Sequence, residues 1–188
     1  MRSSVMNLRE ITDTILRDVG ATLQLLRVVG EEYRDGECRP TRIEHCIASL
    51  NRERWYDTVC AAVIDSHDKE VSAAWSLFSC NAHHTRQVAL RIEGFSPEEA
   101  YLVGLLHQIG KLPQLLGWTC ESTYTIAEER AVGMLLAQHW RAPGYLIEAM
   151  RQQSEGSLSS RWSFLLHSAQ CEYRDQVKVD SAVHPVHP

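Results

Sequence analysis

The sequence predicts an all-α protein, a multi-helix bundle made of two packed helical subdomains, and three observations carry that reading. Apolar residues recur at helical spacing through most of the chain, and several segments open on helix-start signatures. No stretch shows the strict alternation of a strand, and no internal repeat is present. A hydrophobic share of 44% over 188 residues is enough for a continuous core.

Asn7 with Glu10 makes a capping-box start, and Leu8, Ile11, Ile15 and Leu16 mark a first amphipathic helix reaching about Asp18. Gly20 is expected to separate it from a second helix, in which Leu23, Leu25, Leu26, Val28 and Val29 lead to Gly30 and a polar loop over residues 31–38. This pair does not read as a DNA-binding helix-turn-helix. The second helix is too apolar to present a groove-reading face, and Arg27 is its only interior basic residue. Pro40 and Thr41, with Glu44 behind them, open a third helix along Ile43, Cys46, Ile47 and Leu50, and Asn51 stops it in the left-handed conformation that Asn tolerates. A fourth helix spans residues 55–64, so the N-terminal subdomain covers residues 7–64.

The second subdomain covers residues 71–175. Its first helix runs over residues 71–92, with Trp75, Leu77, Phe78, Ala82, Val88, Ala89 and Ile92 as core contacts. His83 and His84 are neighbours, which diverge by about 100° on a helix, so they cannot chelate one metal from one face. Ser96, Pro97 and Glu99 then start a helix whose Ala100, Tyr101, Leu102, Val103, Leu105, Leu106 and Ile109 cover most of its circumference. Such a helix must be surrounded by others. His107 and Gln108 emerge at its end, Gly110 is expected to take a left-handed turn, and Pro113 bars a straight continuation. Thr125 and Glu128 cap the next helix, with Ala131, Val132, Met134, Leu135 and Trp140 as its apolar side. Pro143 starts another, through Tyr145, Leu146, Ile147, Ala149 and Met150. After a linker over residues 156–160, Trp162, Phe164, Leu165, Leu166 and Ala169 begin the last helix, ending near Asp175. Residues 176–188, with their closing VHPVHP, are expected to be a disordered tail.

Composition removes several function classes. No run approaches the roughly 20 apolar residues of a membrane span, and MRSSVMNLRE lacks the apolar core of a signal peptide, so a cytoplasmic location without membrane partner is expected. Six cysteines without a CxxC pair suggest reduced thiols, neither a zinc knuckle nor a disulfide framework. A net charge of −5 argues against nucleic acid as a partner. Arg52, Arg54, Arg86 and Arg91 suit phosphate binding but equally suit solvated helix faces. There is no GxSxG elbow, phosphate loop, HExxH or GxGxxG.

One segment does carry a signature. GLLHQIGKL, residues 104–112, resembles the GLLHDIGKL motif of HD-type domains, and the surrounding chain resembles the HDOD branch, a bacterial signalling module related to HD phosphohydrolases. IEHCIASLNRERW and LLRVVGEEY are similar to further HDOD segments, with Gly30 and Glu31 in place of an Asn-Ser pair. The resemblance implies a metal site built from a His on one helix, the His-Asp pair on the next and a later Asp. Carried onto this chain, the first position falls at Leu77 in AAWSLFS, the pair at His107 and Gln108, and the late position at Gln170 in FLLHSAQ. Extra histidines of some relatives fall near Glu129 and Gln153.

His107 is the only standard ligand left in that set. Leu77 has no ligand atom, and both carboxylates are neutral amides, which bring no charge to a divalent ion. No metal, no cofactor and no catalytic residue is therefore expected, and His107 with Gln108 is expected to be a buried hydrogen-bonded pair filling the former site. The resemblance implies a non-catalytic signalling module that binds a protein partner, with a nucleotide as a possible ligand and cyclic di-GMP circuits as a family association. The competing reading is a phosphohydrolase acting on a nucleotide through His107, Gln108 and Glu129.

Overall fold

The computed structural model describes residues 7–32, 43–50, 69–116, 124–154 and 160–183, which are helical throughout apart from short connections. In chain order the helices are α1 (Leu8–Arg17), α2 (Val19–Glu32), α3 (Ile43–Ser49), α4 (Lys69–Ala89), α5 (Pro97–Leu106), a 3₁₀ turn (Ile109–Lys111), α6 (Leu112–Leu115), α7 (Ile126–His139), α8 (Gly144–Ser154) and α9 (Arg161–Val183). The expected helix over residues 55–64, with Arg52 and Arg54 beside it, lies outside the described residues, as do Pro40, Thr41, Asn51 and residues 156–159 of the expected linker.

The starts follow the side chains that can satisfy free helix amides. Asn7 and Glu10 form the expected capping box on α1, and Thr125 and Glu128 form the one on α7. Ser96 accepts from the Glu99 amide and Pro97 holds the first position of α5. The break between α1 and α2 is made by Asp18, not Gly20: its carboxylate accepts from the Ala21 amide at 2.9 Å, while Gly20 lies inside α2. Gly30 likewise continues that helix. At the far end α9 carries its backbone to Val183, beyond the stop expected near Asp175, because nothing in residues 176–183 breaks a helix until His184 meets Pro185.

Every residue of α5 from Ala100 to Leu106 is buried. It folds back on α4 through a turn in which Gly94 takes φ +88, and the two helices lie antiparallel, His83 stacking edge-on against Tyr101 with ring centroids 5.2 Å apart. Their axes approach closely at Gly104. A Cβ there would come within 2.8 Å of the Ala82 Cα and of the Asn81 carbonyl. On its other sides α5 meets α8, and α9 crosses α4 with Arg91 paired to Glu172 at 2.7 Å and His84 against Tyr173. Phe95, Tyr145 and Trp162 gather at the turn beside Gly94, under the Arg161 guanidinium. α1 to α3 share one hydrophobic cluster with the rest, and the Tyr101 hydroxyl donates to the Leu16 carbonyl at 3.4 Å.

Several expected core contacts face outward. Leu77 is 41% exposed, Leu135 60% and Phe164 53%, and Ala131 is exposed as well. Each lies on a helix that buries one stripe only: Phe78 and Ala82 on α4, Gly133 and Ala137 on α7, Leu165, Leu166 and Ala169 on α9. At its C-terminus α7 ends on Arg141 in the left-handed region (φ 51), with the Ala142 amide donating back to Ala137 at 2.8 Å. The Arg141 guanidinium donates to the Gly30 carbonyl of α2 at 3.3 Å.

The α4 and α5 contact sets a test. Gly104→Ala should lower stability by about 1–3 kcal/mol in urea unfolding, because helix backbones must separate to admit the methyl. Gly144→Ala, where nothing lies within 4 Å, should be neutral or stabilising by up to about 1 kcal/mol. Equal effects from both would show that α5 is not seated on α4 as described.

Candidate functional site

The end of α5 is where the buried helix turns polar. His107 caps it, with its amide bonded to Val103, and the chain tightens into the 3₁₀ turn. Gly110 sits inside that turn and not in a left-handed conformation, so its expected role is corrected. Its lack of a side chain serves the crossing of α7, since a Cβ at Gly110 would collide with the Glu129 carbonyl. That crossing brings α7 against the polar end of α5.

A cleft of about 170 Å³ results, lined by His107, Gln108, Gly110, Lys111, Ile126, Glu129, Arg130, Gln153 and Gln170. Five of the six positions singled out from the sequence therefore meet: His107, Gln108, Glu129, Gln153 and Gln170. Leu77 does not join them. In the antiparallel register, Gly104 faces Asn81 and Ala82, and one turn back on α4 the buried residue is Phe78, with Leu77 turned to solvent. The carry-over onto α4 was thus off the buried face. Lys111 and Arg130 were missed, because the motif directs attention to ligand positions, and neither cation occupies one.

His107 is 6% exposed. Its Nδ1 lies 2.8 Å from the Gly104 carbonyl, and a carbonyl only accepts, so Nδ1 carries the proton and Nε2 is left as a lone pair. The Gln108 amide nitrogen, 3.1 Å away, donates to Nε2. The Gln108 carbonyl oxygen in turn accepts from the Lys111 ammonium at 3.4 Å. Both bonds fix the same amide orientation, because ammonium has only donors and the Nε2 lone pair only accepts. The expected hydrogen bond between His107 and Gln108 is present, extended by Lys111 to a chain of three, but only His107 is buried: Gln108 is half-buried, and the pair lines a cleft instead of filling it.

Burial pushes the His107 imidazole down to about 4; the bond to the Gly104 carbonyl opposes this, while the charges of Lys111 and Arg130 add to it. The imidazole stays neutral at physiological pH. Elsewhere in the lining the charges are those of Lys111, Arg130 and Glu129. Among the described residues no group of three or more His, Cys, Asp or Glu is gathered to hold a metal ion.

These residues do not fit the divalent metals of an HD site. Such ions need a free imidazole lone pair and anionic oxygens, whereas Nε2 is already engaged by an amide N–H and two cations flank the cleft.

A buried helix thus ends in a His-centred polar turn, and later helices cross it and close a small cleft. The chain belongs to the HDOD domain family, whose profile matches residues 1–118. No curated protein matches the sequence. Among solved structures, the fold is similar to the MmoQ response regulator from Methylococcus capsulatus str. Bath: 17% identity, TM-score 0.72, covering 98% of this chain and 84% of that one. A fragment of the same regulator gives 16% identity and a TM-score of 0.67, covering 90% of this chain and 76% of that one. The family match stops before α7, so it is the shared fold that accounts for α7 to α9.

The depressed imidazole fixes a pH dependence. Between about 4 and its ordinary value of 6.5 the unfolded chain takes up a proton that folded His107 refuses. Its contribution is therefore complete above 6.5 and is lost as pH falls toward 4, by about 3 kcal/mol in total. Urea unfolding from pH 7.5 to pH 5 should show stability falling with acid, and His107→Gln should flatten the slope whatever it does to the absolute value. An unchanged slope would mean that His107 is not held neutral by burial.

Proposed function

We propose that this chain is a non-catalytic signalling module of a bacterial regulatory pathway that acts by binding a protein partner. One observation carries the non-catalytic part: the Gln108 amide N–H occupies the His107 Nε2 lone pair that a hydrolytic metal would need. An Asp at position 108 would offer an anionic oxygen to an ion; Gln offers a neutral oxygen, already taken by Lys111. Membership of the HDOD family supports a signalling role, as does the likeness of fold to a protein described as a response regulator. No helix among the described residues is long and apolar enough to cross a membrane, which is compatible with a cytoplasmic location.

The competing reading, a phosphohydrolase with an altered site, draws on Glu129, the one acidic residue among the described residues that line the cleft with His107. It needs at least one further anionic ligand, and the remaining described lining is amide, cationic or apolar. The two readings separate on metal content and turnover. Protein produced with manganese, iron and zinc supplied should carry no stoichiometric metal by plasma mass spectrometry and should not turn over a nucleotide panel. Bound metal together with turnover that His107→Ala abolishes would overturn the proposal.

A further inference from the structure

The lining of the cleft gathers cations and carboxamides in one place. Lys111 and Arg130 form no ion pair with a described residue, although Glu129 lines the same space. The Gln153 and Gln170 amides also line it, from α8 and α9, without a hydrogen-bond partner of their own among the described residues. Four donor-bearing side chains from separate elements thus converge on about 170 Å³. The Lys111 ammonium reaches the Gln108 amide beside the buried imidazole, and Arg130 lines the same cleft from α7.

We propose that this cleft is an anion site that takes a phosphate group directly, without a metal, through Lys111, Arg130 and the amides of Gln153 and Gln170. The inference rests on the non-hydrolytic reading, since in a metal-loaded cleft the ion itself would hold the phosphate. A guanidinium and an ammonium supply charge-assisted N–H bonds to phosphate oxygens, and carboxamide N–H groups add neutral ones. The volume sets the ligand's size. Pockets that enclose drug-sized molecules run from about 300 Å³ upward, so this one holds a phosphate group while any organic part remains outside.

Glu129 decides which anion. Its carboxylate leaves the lining one positive charge in excess and repels a fully ionised oxyanion. Toward phosphate it has a use, because phosphate near neutral pH retains a P–O–H that a carboxylate accepts. Sulfate has no such proton. The site therefore selects phosphate over sulfate, and the selecting group is Glu129.

The test uses the metal-free, chelator-treated 188-residue chain in chloride buffer. Titration with inorganic phosphate should shift the Gln108 and Gln153 side-chain amide resonances saturably in the millimolar range or below, with sulfate binding more weakly. Arg130→Gln should weaken phosphate at least about tenfold, as loss of a charge-assisted contact does. Glu129→Gln should narrow the gap between phosphate and sulfate. A parallel titration with glycerol 3-phosphate at about pH 5.5, below the monoester's second pKa of about 6 so that it too keeps a P–O–H, distinguishes the source: tighter binding than phosphate identifies the terminal group of a phosphomonoester, weaker binding the free ion. Absence of a saturable shift, or a shift that Arg130→Gln leaves unchanged, overturns the anion site while leaving the non-hydrolytic reading standing. Binding that appears only when manganese is added overturns both.

Discussion

Two backbone-to-backbone approaches govern the molecule, and both depend on the absence of a side chain. At Gly104 the central helix α5 lies against the backbone of α4, and at Gly110 the following turn lies against α7. Helices normally keep their axes about 8–10 Å apart because side chains intervene. Where glycine removes them, the neighbours come close enough to leave no space at the contact itself, so any cavity is displaced to its edge. The polar cleft forms there, at the end of α5. His107 belongs half to the core and half to the cleft: its Nδ1 is tied back into α5 through Gly104, and its Nε2 faces the amide that closes the polar side.

The electrostatics follow from that placement. A buried imidazole is costly to charge, and the cations at Lys111 and Arg130 make it costlier. A neutral imidazole with a free lone pair would be an attractive ligand for a soft or borderline ion. Gln108 removes that option by donating to it. The amide at position 108 therefore does more than withhold an anionic oxygen, because it also engages the neighbouring imidazole.

Much of the fold was legible because it is local. Caps at Asn7, Ser96 and Thr125 are satisfied by residues two or three positions away, so their sequence pattern is close to their structure. The all-round burial of α5 was legible for a related reason: a helix with no polar stripe has few places to go. The hydrogen-bonded pair of His107 and Gln108 followed from the need to satisfy buried polar atoms. What escaped the sequence is long-range. Gly110 reads locally as a turn residue, and only the position of Glu129 from a distant helix reveals why a Cβ is excluded. The outward turn of Leu77 was hidden by its neighbour Phe78, since two adjacent apolar residues do not say which one faces in. The cations of the cleft were hidden because a motif comparison asks what has been lost at ligand positions and not what has arrived between them.

The left-handed Arg141 gives α7 a second fixed point. One end of that helix lines the cleft with Glu129 and Arg130; the other is held to the carbonyl of Gly30 on α2. A helix of 14 residues is a stiff rod about 20 Å long. The polar cleft and the first helical pair are thus the two ends of a single strut, and the separation between them is set by its length.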